Sequence, residues 1–230
     1  VRDFDLVINI WGADHHGHVA RLQAALDGLD LNGSERLVVV LMQLVNLLKD
    51  GKPVRMSKRS GKAIALHDLL DEISVDAARY FFNSRTPSTG LDFDLDLAVR
   101  QDSENPVYYV QYAHARICSL ISRLAEEGSV VPAGADVDAN VFTTPEELTL
   151  VKALAQYPNE IHLAARDFDP SRINRYLTVL AGDFHRFYNA CRIKGEEPAV
   201  VSARLKLADS VRAVLANGLA LLGVAAPEKM

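Results

Sequence analysis

Cysteine is scarce in this chain, with only Cys118 and Cys191 in 230 residues. Both sit alone inside helical patterns with no Cys-x-x-Cys pair, which excludes a disulfide framework and argues against a structural zinc site. Reduced core thiols of a cytoplasmic protein are the expectation. Long apolar runs are also missing. Leu37 to Leu48 (LVVVLMQLVNLL) is about half of the roughly 20 residues that a membrane span needs, so no membrane partner is expected. No segment reads as a secretory signal. There is no initiator methionine at Val1, where the pattern already reads as packed structure, and the chain is expected to be a piece of a longer one. Excess positive charge is absent as well: the formal net charge is -5. Any attraction for an anion must therefore come from local clusters.

What is present is ordinary soluble-protein composition, 49% hydrophobic and 24% charged, in a chain long enough for one large domain or two smaller ones. Asp5 to Ile10 (DLVINI) reads as a buried strand. Asp14 is placed to cap an amphipathic helix running to about Leu29, and Arg36 to Leu48 offers a second strand, which together suggest a parallel crossover unit. HDLLDEIS and VDAARYFF predict two short helices, and TPSTGLDFDLDLA an irregular, acidic, extended passage. From Asn105 onward the pattern is helix after helix: one from Asn105-Pro106 to about Glu127, one opened by the capping box Thr144-Pro145-Glu146-Glu147, one from Ser171 to Lys194, and one from about Ala199 to Leu222. Residues 128–143 form the clearest connecting loop. The expected fold is mixed: a piece of an α/β domain over residues 1–104, then an all-α helical bundle over 105–230.

Two stretches carry chemistry in the first part. Gly51 to Lys62 (GKPVRMSKRSGK) concentrates cations between glycines, and Lys58 offers a compact point charge on a flexible stem. A closing lid over a triphosphate at the carboxyl edge of a parallel sheet accounts for it better than a solvated loop does. Trp11 to His18 (WGADHHGH) follows a strand and opens a helix. Its residues fit a metal site poorly, since no fourth partner is implied; helix capping and a nucleotide-facing role both stay open, and so does the choice among His15, His16 and His18. In the bundle, the Ser171–Lys194 segment carries Arg172, Arg175, Arg186, Arg192 and Lys194 against Asp183 within that helix, a local surface suited to phosphates. Tyr108, Tyr109, Tyr112, Tyr176, Phe187 and Tyr188 are candidates for stacking on bases or for the core; Gln111, His114 and Arg116 either face RNA or are plain helix residues.

Met56-Ser57-Lys58-Arg59 resembles the lysine signature loop of class I aminoacyl-tRNA synthetases, with Arg55 where that pattern has its first lysine. SENPVYYVQYAHAR (Ser103 to Arg116), FHRFYNACR (Phe184 to Arg192) and GLALLGVAAPEKM at the carboxyl end are similar to the bacterial arginyl-tRNA synthetase family, in the family's order across essentially the whole chain. The resemblance implies the second half of a Rossmann-like α/β nucleotide-binding fold with the MSKR loop and a stem-contact region over 1–104, an all-α anticodon-binding helical bundle over 105–230, and an ATP site drawn from Gly12, Asp14, His15, Met56, Ser57, Lys58 and Arg59, with Lys58 catalytic. It implies tRNA contacts at Gln111, Arg116, Arg186 and Arg192, no bound metal of the protein's own, and ATP with Mg²⁺, L-arginine and arginine tRNA as the longer enzyme's substrates. The chain is expected to be monomeric. The family's His-Ile-Gly-His signature is not in this sequence, so the chain alone is expected to be inactive, or to serve only as a tRNA-binding module.

Overall fold

The computed structural model describes residues 4–54 and 66–230. Strand β1 (Val7–Gly12) leads through a 3-10 turn (Ala13–His18) into helix α1 (Val19–Asp27), a short helix α2 (Gly33–Arg36) and strand β2 (Leu37–Met42). β1 and β2 pair in parallel with Val7 opposite Leu37 and Gly12 opposite Met42, the crossover unit that the hydrophobic pattern predicts. Two expectations fail here. Asp14 does not cap α1: it lies inside the 3-10 turn, and α1 starts at Val19 with His18 at its N-cap and no side-chain cap bond. β1 is not buried either. Its two strands form a sheet of their own, so Ile8 and Ile10 are 47% and 67% exposed.

The apolar run after Arg36 is two strands, not one. The chain leaves β2 at Gln43, whose N–H donates to the Pro87 carbonyl, and enters a second sheet as β3 (Val45–Lys49). β3 pairs antiparallel with β4 (Lys52–Pro53) and parallel with β5 (Leu91–Asp94). The β3–β4 turn holds both Asp50 and Gly51 at positive φ, 53° and 67°, the hairpin geometry for which glycine is favoured. Asp96 accepts the Asp50 N–H at 2.6 Å. Helices α3 (Leu66–Glu72) and α4 (Val75–Phe82) follow, as predicted, with Ser74 capping α4. The passage expected to be irregular instead supplies β5 and helix α5 (Leu95–Val99), because Asp94 ends the strand and caps the helix through the Leu97 N–H.

The rest is helical: α6 (Pro106–Glu126), α7 (Pro145–Asp167), α8 (Ser171–Ala190) and α9 (Pro198–Leu222). The capping box at Thr144 and Glu147 forms in both directions. α8 ends earlier than its pattern predicts, at Ala190, which leaves Arg192 and Lys194 in the connection to α9. α8 and α9 approach closely at Gly218, where an added Cβ would lie 2.5 Å from a Leu177 methyl carbon. One hydrophobic core runs from Leu47 through Phe93 and Phe184 to Val224, so the first helices are bonded to the bundle. The Tyr80 hydroxyl sits between the Asn174 carbonyl at 3.2 Å and Thr178 Oγ1 at 2.9 Å, and Arg79 donates to the Leu222 carbonyl at 2.8 Å.

Candidate nucleic-acid interface

At the carboxyl end of β1, Gly12, Asp14 and His15 are brought together. A Cβ on Gly12 would fall 2.5 Å from Asp14 Oδ1, so this backbone is approachable only because the side chain is missing. Asp14 Oδ2 lies 3.7 Å from His15 Nε2, with both side chains mostly exposed. The His15 and His18 rings are 5.9 Å apart. Among the described residues no group of three or more His, Cys, Asp or Glu is arranged to hold a metal ion. Met56, Ser57, Lys58 and Arg59 lie outside the described residues; the hairpin of β3 and β4 delivers the chain to them at Val54, whose N–H donates to the Leu47 carbonyl at 2.8 Å.

The second assembly lies where α6 meets α8. Tyr108, Tyr112 and Arg116 are spaced four residues apart and therefore share one face of α6. The two tyrosine rings are parallel within 5° at 6.2 Å, and the Arg116 guanidinium lies 5.8 Å from the Tyr112 ring and 4.1 Å from that of Tyr188 on α8. His185 fills the space behind them, with its ring 4.9 Å from Tyr109, 6.0 Å from Tyr112 and 5.7 Å from Phe184. Burial, then the Arg116 charge, pushes its pKa down from 6.5 to about 4, so the imidazole is neutral at pH 7. Arg186 is exposed and paired with Asp183, beside the Tyr109 hydroxyl across Gly182. Aromatic faces with adjacent guanidinium groups are what stacking on unpaired bases and contact with their phosphates require.

The other predicted contacts are distributed differently. Gln111 is committed inside the protein: its amide donates to Asp76 Oδ2 at 2.8 Å and to the Ala225 carbonyl at 2.9 Å. Arg192 is exposed, and its carbonyl accepts from Arg204. The basic charge expected along Ser171–Lys194 is largely offset from neighbouring elements. Arg172 lies 3.3 Å from Asp167, Arg175 3.8 Å from Asp169 and Lys194 2.6 Å from Glu127. Of the aromatic candidates, Phe187 is fully buried, and Tyr176 packs on Tyr157 at 5.5 Å and donates to the Ala153 carbonyl. His185 was not singled out by sequence reasoning. It stands three residues before Tyr188 among aromatics, and only the packing of α6 against α8 distinguishes it from a surface histidine.

The chain belongs to the DALR anticodon binding domain family, whose model matches residues 110–230. The whole chain is 52% identical to a protein of Ruminiclostridium cellulolyticum named arginine–tRNA ligase, of which it covers 40%. It is 54% identical over its whole length to the arginine–tRNA ligase of Carboxydothermus hydrogenoformans, covering 41% of that protein. A solved structure from Campylobacter jejuni, assigned as an arginyl tRNA synthetase, superposes with a TM-score of 0.86 at 34% identity, covering 100% of this chain and 49% of that one. The chain thus spans about two fifths of the curated relatives it matches, and the resemblance in the motifs to arginyl-tRNA synthetases is borne out.

Proposed function

We propose that the chain serves the ATP-dependent attachment of arginine to its tRNA, providing the anticodon-reading bundle and one side of the ATP pocket. The observation that carries this reading is the identity over the full chain to arginine–tRNA ligases, together with the aromatic and cationic face on α6 and α8. The division is at residues 104 and 105. Arg116 and Arg186 meet the RNA directly, Arg192 meets it beside the bundle, and Gln111 acts by holding α6 to α4 and the Ala225 carbonyl.

On the ATP side, Gly12 admits the adenosine to the backbone, Asp14 accepts hydrogen bonds from ribose hydroxyls or a cationic substrate, and His15 faces the nucleotide. Met56, Ser57, Lys58 and Arg59 close over the phosphates, with Lys58 offsetting charge that develops during in-line displacement at phosphorus. The reaction joins the arginine carboxylate to the α-phosphate with loss of pyrophosphate; a ribose hydroxyl of the tRNA's terminal adenosine then takes the arginyl group as the acyl–phosphate bond breaks and AMP leaves. The described residues contain no cluster suited to Mg²⁺; the ion belongs with the ATP phosphates, and no step here depends on it. A monomer in the cytoplasm is part of the same reading.

The test is binding of arginine tRNA and a non-cognate tRNA to this chain across a salt series, with Lys58→Ala and Arg192→Ala alongside. Preference for arginine tRNA, weakened by Arg192→Ala and untouched by Lys58→Ala, is expected. Equal binding of both tRNAs, governed by salt alone, overturns the proposed anticodon reading.

A further inference from the structure

The chain leaves α9 by folding back on the molecule. Gly223 takes a positive φ of 67°, and the Val224 N–H returns to the Leu219 carbonyl at 2.9 Å, the reversal that closes a helix with glycine just past its end. The place that a Cβ on Gly223 would take is filled by the Arg79 guanidinium of α4. Val224 is buried in the core, and the residues after it cross α4 and α6. Asp76 on α4, Gln111 on α6 and Ala225 form a closed triangle. One Asp76 oxygen accepts the Ala225 N–H at 3.2 Å, the other accepts the Gln111 amide at 2.8 Å, and that amide also donates to the Ala225 carbonyl at 2.9 Å. Nearly one turn further along α6, His114 Nδ1 donates to the Pro227 carbonyl at 2.9 Å.

These bonds border on solvent: Asp76 and Gln111 are half-buried, and Ala225, Glu228 and Lys229 are exposed. The helices beneath are fixed without them, α4 by Tyr80 against Asn174 and Thr178 of α8 and α6 by its row of core residues. Local opening follows the weakest set of exposed hydrogen bonds, so this segment can detach while what it covers stays folded. We propose that residues 225–230 are a strap, anchored at Val224 and latched by the Asp76–Gln111–Ala225 triangle, that opens with the helical bundle intact. The strap walls two cavities. Met230 lines one of about 560 Å³ with Ser74, Gln101 and Gln111; Glu228 and Lys229 line another of about 380 Å³ with Cys118 and Arg123. Opening the strap unroofs both. This inference goes beyond the tRNA and ATP reading and does not rest on it.

The two cysteines serve as reporters, Cys118 of the open strap and Cys191 of the unfolded chain. Cys118 shares its cavity with the strap and its Sγ lies 3.8 Å from His114 Nδ1; burial, first among the causes, pushes its pKa up and slows its reaction while covered. Cys191 is 3% exposed in the core. The 230-residue chain is pulsed with iodoacetamide over a series of urea concentrations below the unfolding transition, and each cysteine is quantified by mass spectrometry. Cys118 should react more slowly than an unfolded thiol at a rate almost independent of urea, and Cys191 at a rate that climbs steeply with it. Asp76→Ala and Gln111→Met should each speed Cys118 about tenfold and Cys191 far less. Circular dichroism melts establish that the variants fold, and Gln111→Met carries the test if Asp76→Ala does not. Labelling of both cysteines with one urea slope overturns the strap. So does a Cys118 rate in the parent equal to that of an unfolded thiol, one that the substitutions leave unchanged, or one that rises only in step with Cys191.

Discussion

Replacing Arg204 by methionine tests whether one buried ion pair holds the bundle together. Glu147 is 0% exposed in its side chain and Arg204 11%, with Arg204 Nε 2.6 Å from Glu147 Oε1. Glu147 Oε2 also accepts the Thr143 and Thr144 N–H groups at 3.0 and 2.9 Å. Burial pushes the Glu147 carboxyl up, but the Thr144 N–H and the Arg204 guanidinium outweigh it, and the net displacement is downward. Removing one member of a buried pair costs about 3–5 kcal/mol. Here Glu147 keeps two backbone donors, so about 2–3 kcal/mol is the expected loss at pH 7. For a chain of this size that lowers the midpoint of the helical circular dichroism melt by roughly 4–12 °C. In the parent, the lowered carboxyl contributes stability above its ordinary range that is lost on acidification. Without Arg204 one of the groups that hold the carboxyl down is gone, so the carboxyl lies higher than in the parent, less stability is lost on its protonation, and the difference between the two proteins narrows from pH 7 to pH 4. Arg204 also donates to the Arg192 carbonyl, so binding of arginine tRNA should weaken together with stability. A melt within 2 °C of the parent at pH 7, or a gap that stays constant on acidification, refutes this account.

Gly218→Ala pushes a methyl to 2.5 Å from Leu177 and is expected to cost about 1–3 kcal/mol in a urea melt, with Leu177→Ala in the same chain recovering part of it. Because His185 resists protonation from 6.5 down to about 4, the unfolded chain takes up a proton that the folded chain refuses. Stability should therefore fall as pH drops through that window, and His185→Phe should show a shallower fall in a pH series of thermal melts. Purified alone, the chain is expected to give no arginine-dependent ATP–pyrophosphate exchange with tRNA present, since the His-Ile-Gly-His signature is not in this sequence; measurable exchange overturns that expectation.

The helical half was legible because its signals are local. Asn105-Pro106, the Thr144 capping box and Pro198 mark helix starts within a residue or two, and 3.6-residue periodicity marks the buried faces. The first half was harder to read, because short strands take their identity from partners. Leu37 to Leu48 is uniformly apolar, and nothing within it states that the chain changes sheets at Gln43; the Pro87 carbonyl, distant in sequence, meets that N–H. Asp94 likewise ends a strand only because β3 is there to pair with it.

Family and motif order were determined by the sequence itself, since the MSKR tetrapeptide and the three helical stretches are strings of residues that need no coordinates to match. Which side chains face one another was decided only by tertiary structure. Gln111 reads as a surface residue until Asp76 and the Ala225 carbonyl close on it, and His185 as one histidine among seven until Tyr109, Tyr112 and Arg116 surround it. The physical reason is that a helix fixes neighbours three and four residues apart by its own geometry, while the pairing of α6 with α8 depends on loops, core volume and desolvation summed over the whole fold.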